Sequence, residues 1–250
     1  MSLPASLLSR PIAHRALHDI GAGRPENSHA AVRAAIEAGY PIEIDIQISR
    51  DGQPMVFHDY RLERLTGGNG RVDEHTAEDL GRLTLRGGDE GVPTLTEILD
   101  IVAGQVPILV EIKDQDGELG DRVGPLEQAV ADSLADYAGD VAVMSFNPYA
   151  VACMAELAPH LPRGLTTEDF AAVDDWAVPL EERRRLSDLP DYERVGAVFI
   201  SHNHRHLLSP RVAELKAEGA HILSWTIRSP DEEAEARRVA DNVTFEGYLP

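Results

Sequence analysis

Residues 42–58 read Ile42-Glu43-Ile44-Asp45-Ile46-Gln47-Ile48-Ser49-Arg50-Asp51-Gly52-Gln53-Pro54-Met55-Val56-Phe57-His58. Ile42 to Ile48 is a β-type run, Asp51-Gly52 is a tight-turn signal, and Pro54 to His58 is a returning strand. If Arg50 to Gln53 form a two-residue hairpin loop, Ser49 pairs with Pro54 and Asp45 with His58. Glu43 and Asp45 are two apart on a strand, so their side chains face the same side.

Working outward, the same alternation of short strands and amphipathic stretches continues in both directions. Upstream stand a strand at Pro11–His14 and a helix at Ser28–Ala38, with Asn27 or Ser28 as N-cap and Gly39 as stop. Downstream, a polar loop through Gly67, Gly68 and Gly70 leads to a helix opened by Pro93-Thr94-Leu95-Thr96 and running to about Ala103. Strands are expected at Val106–Ile112, Val141–Ser145, Arg163–Thr166, Ala197–Ser201, Ile222–Ile227 and Val243–Glu246. Helices are expected at Gly124–Tyr137, Pro148–Leu157, from Thr166 to about Ser187, at Pro210–Glu218 and at Pro230–Ala240. Without the return strand the count is about eight, with helices between most of them. That predicts an α/β fold, a single (β/α)8 TIM barrel with a hairpin excursion carrying His58 after the second strand. An open doubly wound sheet is the alternative, and no Gly-rich phosphate loop follows the first strand to support it.

The chain has 250 residues, of which 43% are hydrophobic, enough for one buried core of the barrel type. No linker or low-complexity run divides it, so residues 1–250 are expected to form one domain. The formal net charge of −20 disfavours nucleic acid and anionic membranes as partners, with solubility as its plain use. The single cysteine, Cys153, rules out an intrachain disulfide and fits a reducing compartment. Met1 to Arg10 lacks a basic region followed by a long apolar core, and no apolar run reaches the roughly 20 residues of a membrane span. A cytoplasmic location without stable membrane association is the expectation.

Barrels of this type place their chemistry at the C-terminal ends of the strands. Those ends carry His14-Arg15, Glu43-Ile44-Asp45, Glu111-Ile112-Lys113, Ser145, Ser201-His202, Trp225-Thr226 and Glu246. Three carboxylates in one mouth repel each other unless a cation neutralises them. All-oxygen ligands favour Mg²⁺, Ca²⁺ or Mn²⁺ over zinc. Spacing alone serves a metal site and a set of carboxylates paired with Arg and Lys equally well. His14 and His58 supply an acid–base pair, and Arg15 and Lys113 are the nearest candidates for phosphate contacts.

His14-Arg15, Pro25-Glu26-Asn27-Ser28, Glu43-Ile44-Asp45-Ile46, Asp51-Gly52-Gln53-Pro54, Val56-Phe57-His58-Asp59, Pro93-Thr94-Leu95 and Glu111-Ile112-Lys113 resemble the ordered motifs of glycerophosphodiester phosphodiesterases. Arg64-Leu65-Thr66-Gly67, Gly70-Arg71-Val72 and the Thr76 to Leu80 segment resemble that family's loop after its His-Asp pair. The likeness is dense from Ile12 to about Asp114 and thinner afterwards, at Ser145-Phe146 and Trp225-Thr226. The resemblance implies metal-assisted hydrolysis of glycerophosphodiesters to glycerol 3-phosphate and an alcohol. It implies His14 and His58 as general acid and base, and Glu43, Asp45 and Glu111 as ligands of one divalent cation. It also implies Arg15 and Lys113 as phosphate contacts and Asn27 close to His14. Trp225 and Glu246 are further candidates for substrate contact. Two positions depart from the family pattern. Ala16 stands where Gly is usual, which strains it if the backbone there takes positive φ. Glu246 stands where the family's closing segment has Asp.

Ser201-His202-Asn203-His204-Arg205-His206 looks like a metal cluster but reads as a solvated loop with a possible place in the pocket. Phe146 reads as core, and Glu181 to Arg185 as a solvated helix face. Two other functions fit similar residues: a phosphodiesterase acting on lysophospholipids, and a barrel that binds phosphodiesters without turnover.

Overall fold

The computed structural model of the chain describes residues 2–173 and 177–250. The apolar run before Lys113 shows how the fold is built. In β4 (Ile108–Ile112), Leu109 points inward to Ile12, Ala142, Met144, Phe199 and Leu223, while Ile108, Val110 and Ile112 point outward to Val102, Leu126 and Val130. Both faces are covered, as a parallel strand requires. The same two-sided burial recurs in β1 (Ile12–Ala13), β2 (Ile42–Ile48), β5 (Val141–Ser145), β6 (Arg163–Thr167), β7 (Phe199–Asn203), β8 (His221–Ile227) and β9 (Asn242–Phe245).

These eight strands run parallel in the order β1-β9-β8-β7-β6-β5-β4-β2, and β1 also pairs with β2, which closes the barrel. A short antiparallel strand, β3 (Pro54–Val56), hangs outside on β2. The helices between strands are α1 (His29–Ala38), α2 (Ala77–Gly81) and α3 (Leu95–Val102) in the first half. They continue with α4 (Pro125–Leu134), α5 (Pro148–Leu157), α6 (Leu180–Ser187), α7 (Pro210–Ala217) and α8 (Pro230–Ala236). Their starts follow local chemistry. Ser28 caps α1, Thr94 and Glu97 form a capping box on α3, and proline occupies the first turn of α5, α7 and α8.

The barrel floor is sealed from below. Leu3 and Leu7 join the interior cluster, and the buried Asn242 side chain donates to the Leu7 and Arg10 carbonyls at 2.8 and 2.6 Å. Gly164 makes room inside for Phe199, since a Cβ there would lie 2.5 Å from the phenyl ring.

The expected barrel and its eight strands are present, and four details differ. The hairpin register is shifted by one residue: Ile48 pairs with Pro54 and Ile46 with Val56, so Asp45 stands opposite Phe57 and not His58. Ser49 causes this. Its N–H binds the Gln53 carbonyl at 3.0 Å and its Oγ accepts from the Gln53 N–H at 2.8 Å, closing a longer loop over Asp51-Gly52. The sixth barrel strand, β7, begins and ends two residues later than expected and takes in His202 and Asn203. The helix expected from Thr166 begins at Leu180, and part of that stretch, 174–176, lies outside the described residues. The polar loop after β3 has its own core of Phe57, Leu62, Leu65, Val72, Leu80 and Leu85, and carries α2.

Candidate active site

The inward positions two residues above the barrel floor form the mouth. His14, Arg15, Glu43, Asp45, His58, Glu111, Lys113 and Trp225 line one pocket of about 170 Å³, together with Phe146, Thr166, Ser201, Thr226, Arg228 and Thr244. Eight of the ten residues singled out from the sequence therefore meet. The other two, Asn27 and Glu246, stand directly behind pocket residues.

His14 follows β1, and its N–H donates to the Phe245 carbonyl of β9 at 2.9 Å. The next residue of that strand end supplies the side-chain partner: Glu246 Oε2 lies 2.5 Å from His14 Nδ1. The other carboxylate oxygen of Glu246 holds Arg228 at 2.7 Å. Beyond His14 the chain makes a turn over Glu43. The Arg15 N–H donates to Glu43 Oε2 at 2.8 Å, and the Ala16 N–H to the Glu43 carbonyl at 3.0 Å. This turn needs left-handed backbone, with φ of 52° at Arg15 and 63° at Ala16. The position where Ala replaces the usual Gly is thus strained by about 1 kcal/mol. Asn27, at φ 58°, is 1% exposed. It donates to Asp45 Oδ2 at 2.9 Å and accepts from the Asp45 N–H at 3.3 Å, so it fixes a carboxylate from behind.

His58 lies two residues past β3, where the chain has left the ladder. Its carbonyl accepts from Gln47 Nε2 at 3.2 Å, and its Nδ1 lies 2.7 Å from Asp59 Oδ1. Both imidazoles therefore engage a carboxylate through Nδ1. Ionised carboxylates only accept, so each Nδ1 carries the proton and each Nε2 is left for the pocket.

Glu43, Asp45 and Glu111 are all buried, and one oxygen from each lies within 4.8 Å of the others, close enough to hold one metal ion. Lys113 Nζ bridges two of them, at 2.6 Å from Glu111 Oε1 and 3.2 Å from Asp45 Oδ1. Burial and the neighbouring Asp45 and Glu111 push Glu43 well above the usual carboxylate range. Burial works in the same direction on Asp45, but Lys113, His58 and Arg15 outweigh it and hold Asp45 well below that range. Burial, helped by the neighbouring Arg15, lowers His14 below the usual imidazole value against the pull of Glu246. Glu246 is held low against burial by its bond to His14.

Trp225 both lines the pocket and packs. Its Nε1 donates to the Ser201 carbonyl at 2.8 Å, and its ring meets Phe146 edge-on at 5.5 Å. Phe146, expected in the core, shares the pocket wall. The histidine-rich segment departs from its expected solvated state. His202 is 2% exposed, its Nδ1 lies 2.8 Å from Thr167 Oγ1 and its Nε2 3.2 Å from the His206 carbonyl. Arg228 and Thr244 were not anticipated. The signal was there for Thr244, two residues before Glu246 on the same face of its strand; Arg228 lies beyond a strand end and has no such signal.

A sequence model of the glycerophosphoryl diester phosphodiesterase family matches residues 14–242. The chain belongs to this family. The match opens on His14 and takes in both histidines and all three carboxylates, and it stops short of Glu246. Among relatives in this family, a glycerophosphodiester phosphodiesterase of Caldanaerobacter subterraneus is 28% identical over 88% of this chain and 87% of its own length. One from Bacillus subtilis is 27% identical over 74% and 71% respectively. The fold recurs in an Oleispira antarctica phosphodiesterase solved with its product sn-glycerol-3-phosphate, with a TM-score of 0.77 at 24% identity over 97% and 95% of the two chains. It recurs also in a Thermotoga maritima glycerophosphodiester phosphodiesterase, with a TM-score of 0.72 at 21% identity over 95% of each. Among the described residues no helix is long and apolar enough to cross a membrane.

Proposed function

We propose that residues 1–250 act as one barrel domain, a cytoplasmic metal-dependent phosphodiesterase that hydrolyses glycerophosphodiesters to glycerol 3-phosphate and an alcohol. The observation that carries this reading is the pairing of two carboxylate-anchored imidazoles with three grouped carboxylates around one pocket.

The donor set fits a divalent cation. Among the described residues the three buried carboxylates have Lys113 and Arg15 as their near lysine and arginine partners, and burial together with the two neighbouring carboxylates raises Glu43. Glu43, Asp45 and Glu111 would hold the ion, with Mg²⁺ or Ca²⁺ favoured by the oxygen ligands and Mn²⁺ also suited. A cation bound there supplies Lewis-acid polarisation of a phosphoryl oxygen. Arg15 and Lys113 bind the phosphate, in a chain whose overall charge of −20 otherwise repels it. His14 takes the proton of the attacking hydroxyl or water at its unprotonated Nε2, and His58, when it carries a second proton at Nε2, gives that proton to the leaving oxygen. Glu246 and Asp59 accept from the Nδ1–H of the two rings and so keep each Nε2 turned to the pocket. Trp225 and Phe146 form an apolar wall for the glycerol carbons.

The test is a panel of glycerophosphodiesters assayed with Mg²⁺, Ca²⁺ and Mn²⁺ in turn. Release of glycerol 3-phosphate, its loss in EDTA, and losses of at least about 100-fold in His14→Ala and His58→Ala are expected. Full activity in EDTA or in His58→Ala would sink the reading. The lysophospholipid alternative has one feature in its favour. A groove of about 580 Å³ lies beside Glu246, lined in part by Leu17, Ile20, Phe245 and Leu249. Faster turnover of lysophosphatidylcholine than of glycerophosphocholine would decide for it.

A further inference from the structure

Arg64 lies in the loop after β3 and does not line the pocket. Its guanidinium nevertheless grips two carboxylates at once. Nε and Nη2 donate to Asp59 Oδ2 and Oδ1 at 2.6 and 2.8 Å. Nη1 and Nη2 donate to Glu26 Oε2 and Oε1, both at 2.8 Å. Four of its five N–H bonds are thus engaged, on the side edge and the end edge of the fork. Each carboxylate then reaches a different pocket residue. Asp59 Oδ1 holds His58 Nδ1 at 2.7 Å, and Glu26 Oε1 holds Arg15 Nη1 at 2.7 Å.

We infer that Arg64 is a positioning residue that couples the imidazole of His58 to the guanidinium of Arg15 through Asp59 and Glu26. This rests on the functional reading given above for those two pocket residues. Stability does not account for the arrangement. The Arg64 side chain is 48% exposed, and ion pairs at that exposure contribute about 1 kcal/mol or less. What the fork does supply is a fixed distance between two carboxylates that would otherwise repel. Without it, Asp59 and Glu26 have no shared cation, and His58 and Arg15 lose their common reference. Lysine cannot substitute, because a single ammonium has no second edge and no planar pair of donors.

The experiment compares wild type, Arg64→Ala and Arg64→Lys in Mg²⁺ with glycerophosphocholine, reading kcat and KM separately alongside the melting temperature. Loss of ring orientation at His58 lowers kcat by about 10- to 100-fold, and loss of Arg15 placement raises KM. Both changes are expected in both variants with little change in melting temperature. Millimolar guanidinium should restore part of the rate in Arg64→Ala. In a His58→Ala background, Arg64→Ala should change KM but no longer kcat. Unchanged kcat in Arg64→Ala, or full activity in Arg64→Lys, overturns the inference. A second readout needs no turnover: calorimetric titration with inorganic phosphate should show several-fold weaker binding to Arg64→Ala. A wild type inert toward every glycerophosphodiester sinks the functional reading, and the phosphate titration then still decides on Arg64, with equal affinities counting against it.

Discussion

The Glu246 carboxylate, one residue past the last barrel strand, lies 2.5 Å from the Nδ1 atom of His14, one residue past the first. The two are joined because β1 and β9 are neighbours in the closed barrel and place successive strand ends side by side. An orienting carboxylate matters only if the ring does chemistry, so its removal should act on turnover. Glu246→Ala is expected to lower kcat by about 10- to 100-fold with KM nearly unchanged, measured on glycerophosphocholine. Glu246→Gln, which still accepts a hydrogen bond, should fall between the two. Equal kcat in all three proteins would show that the contact is idle.

The carboxylate cluster predicts opposite effects with and without metal. In metal-free protein, Glu43→Gln removes a carboxyl whose ionisation burial, Asp45 and Glu111 all oppose, while an amide oxygen can still accept from the Arg15 N–H. Its melting temperature should rise. Adding Mg²⁺ or Ca²⁺ should raise the wild-type melting temperature and leave that of the variant nearly unchanged. Thermal scans with and without EDTA check both halves. A variant less stable than wild type in EDTA would refute the account of repulsion.

His202 makes folding sensitive to acid. Burial lowers it from 6.5 to about 4, so between those values the unfolded chain binds a proton that the folded chain refuses. Its contribution is fully present above about pH 6.5 and is lost progressively as pH falls toward 4. From pH 7 to pH 5 the loss should be about 2 kcal/mol. Urea unfolding at the two values measures it. His202→Gln should be less stable at pH 7 but show a shallower dependence on pH across that interval.

Inside the barrel, Gly164→Ala would drive a Cβ to within 2.5–2.6 Å of the Phe199 ring. Overpacking of this kind costs about 1–3 kcal/mol. The double variant Gly164→Ala, Phe199→Leu should recover part of it, since the added methyl then takes space that the ring vacates. Chemical denaturation of these two variants and of Phe199→Leu alone gives the coupling directly, and strict additivity would argue against a shared space.

The legible parts of the fold were those with local causes. The apolar run before Lys113, the Ser28 and Thr94 caps and the prolines at helix starts place the strands and most helix starts closely, while α4 ends at Leu134 and not Tyr137 and α8 at Ala236 and not Ala240. The hairpin register was missed by one because Ser49 uses its own hydroxyl to close the loop, a choice that the Asp51-Gly52 signal does not reveal. His202 was read as solvated because its burial depends on Thr167, a residue on a different strand. In the site, residue identity at strand ends named the pocket, but partnership did not follow from it. Glu246 was recognised as a member of the mouth, and its turn toward His14 depends on which strands are neighbours across the closure. The Arg64 fork joins residues 26, 59 and 64, a set that no single period or motif groups together.

Barrel closure also sets a schedule. A nascent chain complete through Ser201 contains all three grouped carboxylates, both imidazoles, Arg15 and Lys113. It lacks β9, so the two residues of β1 have no partner on one side, and the backbone of His14 has nothing to hold it. On the proposed function, hydrolysis should therefore wait for the final stretch to leave the ribosome, and a chain cut short before Glu246 is expected to be inactive although it carries most of the site residues.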